Sequence, residues 1–158
     1  LGYWNDSERT AERFRPAPGR PTEIPNEELA VWSGDFVRKD EEGFLYFVSR
    51  RDEMIKTSGY RVSPSEVEDV VYDSGLASEV VALGLPDDRL GQKIVLVAKA
   101  ADDGACRTEQ LLEFLKNELP NYMVPFRVYW RDELPRNSNG KLDRQRMLRE
   151  LVDDSADQ

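Results

Sequence analysis

The sequence predicts an α+β fold in two parts, a β-hairpin region followed by a small unit that mixes strands and helices. Residues 36–50 hold two runs rich in aromatic and β-branched residues, FVRKD and FLYFVSR, joined by the turn-like DEEG. From residue 52 onward, apolar strand-like segments alternate with segments of helical spacing. We therefore predict two parts, 1–51 and 52–158, the second built from a short hairpin and a three-stranded mixed sheet with flanking helices.

The first part is predicted to be irregular before its hairpin begins. Residues 1–30 include the segment RFRPAPGRPTEIPN, and its four prolines disfavour regular structure. The hairpin strands follow, with Asp35 at the start of the first and Arg50 at the end of the second. A charged residue is thus expected where the chain enters the hairpin and another where it leaves it.

The second part is predicted to open with a tight hairpin and a capped helix. DEMIKTSGYRVS reads as two short strands around a Ser-Gly turn. A helix follows, with Ser63 as N-cap, Pro64 at the first helical position and Glu66 completing a capping box. Gly75 ends this helix. Its apolar face is formed by Val67, Val70 and Val71.

Three further strands and two helices complete the predicted second part. SEVVALGLPD, KIVLVAKA and FRVYWRD are the strands. TEQLLEFLKNEL is a helix with Thr108 as N-cap, and Pro120 limits it. A last helix runs from about Asp143 to Val152, and the tail DDSADQ is expected to fray. The inward residues of the 108–119 helix are Leu111, Leu112, Leu115 and Leu119.

Composition excludes several classes of function. The net charge of −9 argues against a nucleic-acid partner and against a polybasic membrane patch. The chain has no histidine, which excludes Ser-His-Asp and Cys-His catalysis and His-based zinc sites. Its single cysteine, Cys106, can form no intrachain disulfide. The longest apolar run, KIVLVAKA, is too short for a membrane span, and the charged opening segment predicts no signal peptide, so we expect a cytoplasmic protein. Because the chain opens on Leu1, we expect a piece of a longer protein.

Two charged positions of the hairpin region are candidate ligand-binding residues. Asp35, in SGD, can accept hydrogen bonds from vicinal hydroxyls such as those of a ribose, or it can be a plain turn residue. Arg50, in SRRDEMIK, has a guanidinium suited to phosphate or ribose, or it can belong to a surface charge cluster. Asp52 lies at the predicted boundary, where a hinge would swing one domain on another.

Two turns of the second part carry the other candidates. Gly59, flanked by Lys56 and Arg61, allows a thin ligand to come close, or it simply makes a turn. Lys141 follows an Asn-Gly turn and precedes Asp143, a good N-cap. It is either a solvated charge or a cation delivered to an anion, where it would stabilise charge developing as a carboxylate attacks a phosphate.

The order and spacing of these motifs resemble one family. LGYWNDSERTAERF, SGD, SRRDEMIKTSGYRVSPSEVE and LPRNSNGKLDR together resemble the C-terminal portion of the adenylate-forming, AMP-dependent synthetases and ligases. That superfamily includes acyl-CoA synthetases, adenylation domains of nonribosomal peptide synthetases and beetle luciferases. The resemblance implies that residues 1–51 end a large N-terminal domain and that residues 52–158 are its C-terminal lid. Ser33 and Ser49 stand where the family usually has Thr and Gly.

The resemblance also implies a reaction and a set of partners. A carboxylic acid and ATP give acyl-AMP, and a thiol of CoA or of a carrier-protein pantetheine then displaces AMP while the lid rotates between the two steps. ATP with Mg²⁺ would be bound mainly by the N-terminal domain, and no metal ligand is expected in this chain. Since the phosphate loop and the acid pocket precede this sequence, the 158 residues alone are expected to be inactive.

The family's roles map onto the candidate residues by motif. Asp35 would hold the ribose hydroxyls, Arg50 would lie near the ribose and α-phosphate, and Asp52 would be the hinge. Lys141 would enter the site for adenylation. The thioester step would use residues of the Ser-Gly hairpin, namely Lys56, Gly59 and Arg61.

Three hypotheses about function follow. The favoured one is an AMP-forming ligase that makes an acyl-CoA, since MIKTSGYRVSPSEVE looks more like acyl-CoA ligases. The second is an adenylation domain that loads an amino or fatty acid onto a carrier protein, which LPNYMVP and NGKLDR support. The third is a non-catalytic α+β interaction module. The acid that is activated and the oligomeric state are not readable from this chain.

Overall fold

The computed structural model describes residues 2–17, 29–51, 53–102 and 107–156. The chain divides into two compact units, residues 1–52 and 53–158. Both units mix helices and strands, which confirms the predicted α+β class. Asp52 and Cys106 lie outside the described residues.

The first unit begins with a helix and a strand, so the predicted irregular segment is wrong for residues 7–16, and residues 18–28 of that segment lie outside the described residues. Helix α1 spans Ser7–Arg13, strand β1 Phe14–Pro16 and strand β2 Leu29–Val31, and the two strands pair antiparallel. The helix forms because Asp6 caps it: its carboxylate accepts from the backbone N–H of Arg9 at 2.9 Å. The sequence SERTAER contains no Gly or Pro, and Arg13 lies in the last turn, where a cation is favourable.

The predicted hairpin of the first unit is present. Strand β3 spans Asp35–Lys39 and β4 spans Leu45–Arg50, paired antiparallel. Asp35 and Arg50 are register partners at the open end of this hairpin, and the register shifts between Phe36 and Val37. The loop at the other end is closed by Asp40, whose carboxylate accepts from the backbone N–H of Phe44 at 2.8 Å.

The second unit is a five-stranded sheet with three helices. Strands β5 (Ile55–Thr57) and β6 (Tyr60–Val62) form the predicted hairpin, which joins β8 through the pair Thr57 and Gly91. Strands β7 (Ala77–Asp87) and β8 (Gly91–Ala100) are antiparallel, and β9 (Arg127–Trp130) runs parallel to β8. The helices are α2 (Pro64–Asp73), α3 (Thr108–Glu118) and α4 (Arg144–Ala156), with a 3₁₀ turn at Asn121–Met123.

The core of this unit covers both faces of the sheet, which explains why β7 and β8 read as nearly continuous apolar runs. Along β8, Leu96 belongs to the cluster that packs against α2 and α3, whereas Val95 and Val97 belong to the cluster that packs against α4. Among the described helix residues, Val67, Val71, Leu111 and Leu115 are fully buried as predicted, and so is Met147 of α4, a helix for which no inward residue was predicted.

Three predicted helix ends differ in the structure. Ser63 is the N-cap residue of α2, as predicted, but its side chain makes no capping hydrogen bond and its hydroxyl lies 2.7 Å from that of Ser65, so the hydroxyl half of the predicted capping box is missing. Thr108 is the first residue of α3 rather than its N-cap, and its hydroxyl accepts from Trp130 Nε1 at 2.8 Å. The last helix continues to Ala156, beyond the point where fraying was predicted.

Candidate functional site

The SGD turn places Asp35 at the end of the first unit's hairpin. Gly34 has a φ of +85°, a conformation that L-residues rarely adopt. Its carbonyl accepts from the backbone N–H of Arg51 at 2.8 Å, and the Ser33 hydroxyl accepts from the N–H of Asp35 at 3.2 Å. The turn is therefore hydrogen-bonded to Arg51, which follows β4, and the Ser33 hydroxyl fixes the backbone of Asp35.

Asp35 and Arg50 meet across this hairpin. Arg50 Nε lies 3.7 Å from Asp35 Oδ1, and the side chains are 46% and 35% exposed, respectively. An ion pair that is this accessible contributes little to stability, about 0–1 kcal/mol. Its two members can therefore exchange this contact for contacts with a ligand at small cost.

Arg13, which the sequence did not single out, supports the SGD turn. Its guanidinium donates to the carbonyl of Trp32 at 3.3 Å and also to the carbonyl of Ser33. A Cβ at position 34 would meet the same guanidinium, which is the end of a flexible side chain and would have to shift, so it is chiefly the φ of +85° that favours glycine here. The sequence signal for this role is only the place of Arg13 in the last turn of α1.

The hairpin of β5 and β6 ends in a tight turn at Ser58 and Gly59. Both have positive φ, 51° and 81°, which fits a two-residue hairpin loop. The turn is anchored to the start of β8: Lys56 N–H donates to Gln92 Oε1 at 2.7 Å, and Ser58 N–H donates to the Leu90 carbonyl at 2.9 Å. A Cβ on Gly59 would have no heavy atom within 4 Å, so open space surrounds the turn.

Two exposed cations face each other on this hairpin. Lys56 and Arg61 are register partners, and both side chains are exposed. Like charges directly opposite in an antiparallel pair repel each other. The pair therefore concentrates positive charge beside the Ser58–Gly59 turn, an arrangement that favours an anionic ligand.

The loop that carries Lys141 is organised by Asn137. The Asn137 side-chain oxygen accepts from the backbone N–H groups of Asn139 at 3.0 Å and Lys141 at 3.1 Å. Backbone bonds from Asn137 N–H to the Lys141 carbonyl, 2.8 Å, and from Gly140 N–H to the Asn137 carbonyl, 2.9 Å, close the loop. Gly140 has a φ of +77°, whereas Asn139 does not adopt positive φ, so only one residue of the predicted Asn-Gly turn is left-handed.

The Lys141 ammonium has no hydrogen bond or ion pair with any residue that the structure describes, and the side chain is exposed. The loop around it is nevertheless firmly held, since Arg136 donates to the Gly140 carbonyl at 2.9 Å and pairs with Glu79 at 2.9 Å. After the loop, Asp143 caps α4 by accepting from Arg146 N–H at 3.0 Å, as predicted. A cation that has no partner among the described residues thus projects from a loop held by hydrogen bonds.

Arg144 and Glu68, which sequence reasoning missed, form an ion pair just after that loop in which Glu68 is buried and Arg144 partly buried. The guanidinium donates to both carboxylate oxygens of Glu68, at 2.7 and 2.8 Å, and Glu68 is only 8% exposed. Burial by itself would lower the pKa of Arg144, but the hydrogen bonds to Glu68 and the charge of Glu53 outweigh it and raise the pKa. The arginine therefore stays charged inside the fold.

The described candidate residues are divided between the two units. Asp35 and Arg50 are together in the first unit. Lys56, Gly59 and Arg61 share the β5–β6 hairpin of the second unit, and Lys141 lies on a different loop of that unit. Among the described residues, no three His, Cys, Asp or Glu side chains gather as a metal site would require. None of the described helices is both long enough and apolar enough to cross a membrane.

Residues 66–141 match the family described as the AMP-binding enzyme C-terminal domain. The chain contains a C-terminal domain of the adenylate-forming enzymes. It is 33% identical over 149 residues to a long-chain-fatty-acid–CoA ligase of Bacillus subtilis (strain 168), covering 94% of this chain and 24% of the ligase. It is 36% identical over 143 residues to one of the proteins that make up the linear gramicidin synthase of Brevibacillus parabrevis, covering 90% of this chain and 3% of that protein.

Solved structures agree with this family. The crystal structure of ATP-bound MatB from Rhodopseudomonas palustris matches with a TM-score of 0.80 at 26% identity, over 96% of this chain and 28% of that one. The C-terminal domain described here therefore has the fold of acyl-CoA-synthetase-like enzymes. The chain spans only 24% of the Bacillus ligase and 28% of the MatB chain.

Proposed function

We propose that this chain is the C-terminal part of an AMP-forming acid–thiol ligase, which activates a carboxylic acid with ATP to acyl-AMP and transfers the acyl group to CoA. The observation that carries the proposal is Lys141: its ammonium has no partner among the described residues, while four hydrogen bonds within the loop hold its backbone. A cation fixed in this way is ready to meet an anion with little loss of conformational entropy.

In the first half-reaction, a carboxylate oxygen forms a bond to the α-phosphorus of ATP and the bond to pyrophosphate breaks. Negative charge on the phosphate oxygens and on the attacking carboxylate must be stabilised together. We assign this role to Lys141, whose natural partners are carboxylate and phosphate oxygens. In the second half-reaction, the thiol sulfur bonds to the acyl carbon and AMP leaves.

The other candidate residues receive roles that suit their geometry. The half-exposed pair of Asp35 and Arg50 would bind the nucleotide, the aspartate through the ribose hydroxyls and the arginine near the α-phosphate. Lys56 and Arg61, with the open turn at Gly59, would meet the phosphopantetheine thiol donor in the second step. Residues 1–51 would end the large N-terminal domain and residues 52–158 would be the lid.

Several roles of this proposal belong to parts of the enzyme that the structure does not describe. Asp52 would be the hinge of the lid, and the Mg²⁺ that accompanies ATP would be bound mainly by the N-terminal domain. The 158 residues by themselves would then make no adenylate. Pyrophosphate release from the isolated chain, mixed with ATP, Mg²⁺ and a panel of carboxylic acids, measures this directly, and turnover above background would contradict it.

A second candidate keeps adenylation and changes the thiol. The similarity to the gramicidin synthase protein reaches 36% identity, as high as that to the CoA ligase, and it favours an enzyme that loads a carrier protein. Acyl transfer by the full-length enzyme to free CoA, compared with transfer to a carrier protein bearing pantetheine, separates the two candidates. Product with CoA alone supports the first.

The test of the proposed function is Lys141→Ala in a full-length enzyme that carries this chain, with the half-reactions assayed separately. We expect adenylate formation to fall about 10²- to 10³-fold, as when one donor to a developing oxyanion is removed. Thioester formation from supplied acyl-AMP should be unchanged. Lys116→Ala, at an exposed lysine in α3, is the matched control and should alter neither step. Unchanged adenylation in the Lys141 variant would refute the role.

A further inference from the structure

Strand β7 lies at the end of the sheet, and side chains of α2 satisfy its outward polar groups. The order of strands is β6, β5, β8 and β7, with β9 paired to β8. The backbone N–H of Ala82 donates to Glu68 Oε1 at 2.7 Å, and that of Val80 donates to the Tyr72 hydroxyl at 3.3 Å. Glu68 and Tyr72 are four residues apart on α2, so they lie on one face of the helix. These two side chains accept the hydrogen bonds that a neighbouring strand would accept from Val80 and Ala82 of β7.

Arg144, the first residue of α4, also hydrogen-bonds to this edge of β7. Its guanidinium donates to the Ala82 carbonyl at 3.2 Å while it grips both oxygens of Glu68. Both polar groups of one residue of β7 are therefore bound by the ion pair. Glu53 adds a weaker contact, 3.8 Å from Arg144 Nε. The first residue of α4 is thus fixed at once to α2, to β7 and to the segment before β5.

Only two residues separate Arg144 from Lys141, and both are themselves held. Leu142 forms an isolated bridge with Arg136, and Asp143 N–H donates to the Pro135 carbonyl at 2.8 Å. Asp143 also caps α4. Since residues 142 and 143 are both held by these backbone contacts, a displacement of Arg144 would move the base of the loop that carries Lys141.

From this geometry we propose that the Glu68–Arg144 ion pair positions Lys141 for adenylate formation. The pair touches no substrate and acts through the backbone of residues 141–144. The inference rests on the proposed function, because it assumes that Lys141 acts in the first half-reaction. It predicts that weakening the pair impairs adenylate formation selectively, since thioester transfer does not use Lys141.

The test uses a full-length enzyme that carries this chain. Arg144→Met alone leaves Glu68 buried without a counter-charge and risks misfolding. The double variant Glu68→Gln/Arg144→Met avoids this, because the glutamine oxygen still accepts from Ala82 N–H and the methionine fills the space of the arginine stem. The matched control is Arg146→Met in the same helix, whose guanidinium pairs with the partly exposed Glu150 at the surface.

We expect the double variant to melt close to the parent temperature and to form adenylate about 10- to 100-fold more slowly, the scale of an ångström-sized misplacement. Thioester formation from supplied acyl-AMP should stay within about twofold of the parent, since only the first step depends on Lys141. Exchange of the Lys141 and Gly140 amide hydrogens should become faster. Arg146→Met should change none of these quantities.

A folded double variant with parental adenylation, or with parental amide exchange at Lys141, would overturn the inference. So would an equal loss in both half-reactions, which is the mark of general damage to the domain. Failure of the proposed function is a different result: there, Lys141→Ala itself forms adenylate at the parental rate. The amide exchange reports on loop position in either case.

Discussion

The local conformation of the loop that carries Lys141 should depend strongly on the side chain of Asn137. Asn137→Ala removes the oxygen that accepts from two backbone N–H groups, those of Asn139 and Lys141, at 3.0 and 3.1 Å. The two backbone bonds between Asn137 and residues 140 and 141 remain, so the loop loses half of its four internal bonds. We expect the ordered conformation to become less populated while the rest of the fold is unaffected.

The size of the effect follows from these contacts. A hydrogen bond contributes about 0.5–1.5 kcal/mol net, and because the loop is exposed, the freed N–H groups will bind water. Two bonds are then worth about 1–3 kcal/mol of loop order, which lowers the ratio of ordered to disordered loop about 5- to 150-fold. Adenylate formation by the full-length enzyme should fall with the population of the ordered loop, by this factor at most. The melting temperature should hardly change, since residues 137–141 are all exposed.

The matched control for this experiment lies two residues further along the loop. Asn139 is exposed, and its side chain makes no hydrogen bond with the described residues, so Asn139→Ala should leave adenylation unchanged. The assay is pyrophosphate release without thiol, together with exchange of the amide hydrogens of residues 139 and 141. If Asn137→Ala accelerates that exchange and adenylation stays at the parental rate, loop order does not limit the reaction and the reasoning fails.

Three further predictions concern the other turns. Gly34→Ala places a Cβ against the Arg13 guanidinium at a φ of +85°, and we expect the KM for ATP to rise about 5- to 30-fold in steady-state assays while the Lys141 loop stays intact. Gly59→Ala meets no neighbour but strains a φ of +81° by about 1–2 kcal/mol, so thioester transfer should slow and adenylation should not. Backbone N–H groups, chiefly that of Leu90, lower the pKa of Asp87 from its ordinary 3.8, so its stabilising effect is present above that pH and is lost as the pH falls below it. Melting temperatures between pH 5 and pH 3 should therefore fall less steeply for Asp87→Asn.

The parts of the fold that local sequence decides were predictable. The i, i+3, i+4 spacing of Val67, Val70 and Val71 predicted α2, and two of the three are fully buried. The Ser-Gly turn predicted the β5–β6 hairpin because few dipeptides accept two positive φ values. These features depend on residues close together in the chain, where pattern and structure coincide.

Other local predictions, chiefly those of side-chain caps at helix N-termini, were wrong because several groups compete for the same hydrogen bond. Ser63 had the residue type of an N-cap, but the Ser65 hydroxyl took its hydrogen bond. Thr108 likewise had the type of an N-cap, and Trp130 donates to it from 22 residues away. Helix α1 was not predicted because of the prolines that follow it, although the residue type of Asp6 is that of an N-cap. A side chain with several accessible partners cannot be assigned from its type alone.

Lys141 has two supports, Asn137 and the Glu68–Arg144 pair, and only the one that is close in the chain could be predicted from the sequence. Asn137 was readable in NSNG, since an Asn oxygen commonly accepts from the backbone two residues later, as it does here from Asn139. The Glu68–Arg144 pair was not, because 76 residues separate its members and only the packing of α2 against β7 brings them together. Lys141 therefore has a local support that shapes its loop and a distant one that fixes the loop to the domain. If the lid rotates between half-reactions, a loop held only by its own hydrogen bonds would bring Lys141 to the substrates in varied orientations. A loop that is also fixed to the domain through the Glu68–Arg144 pair would bring Lys141 there in one orientation.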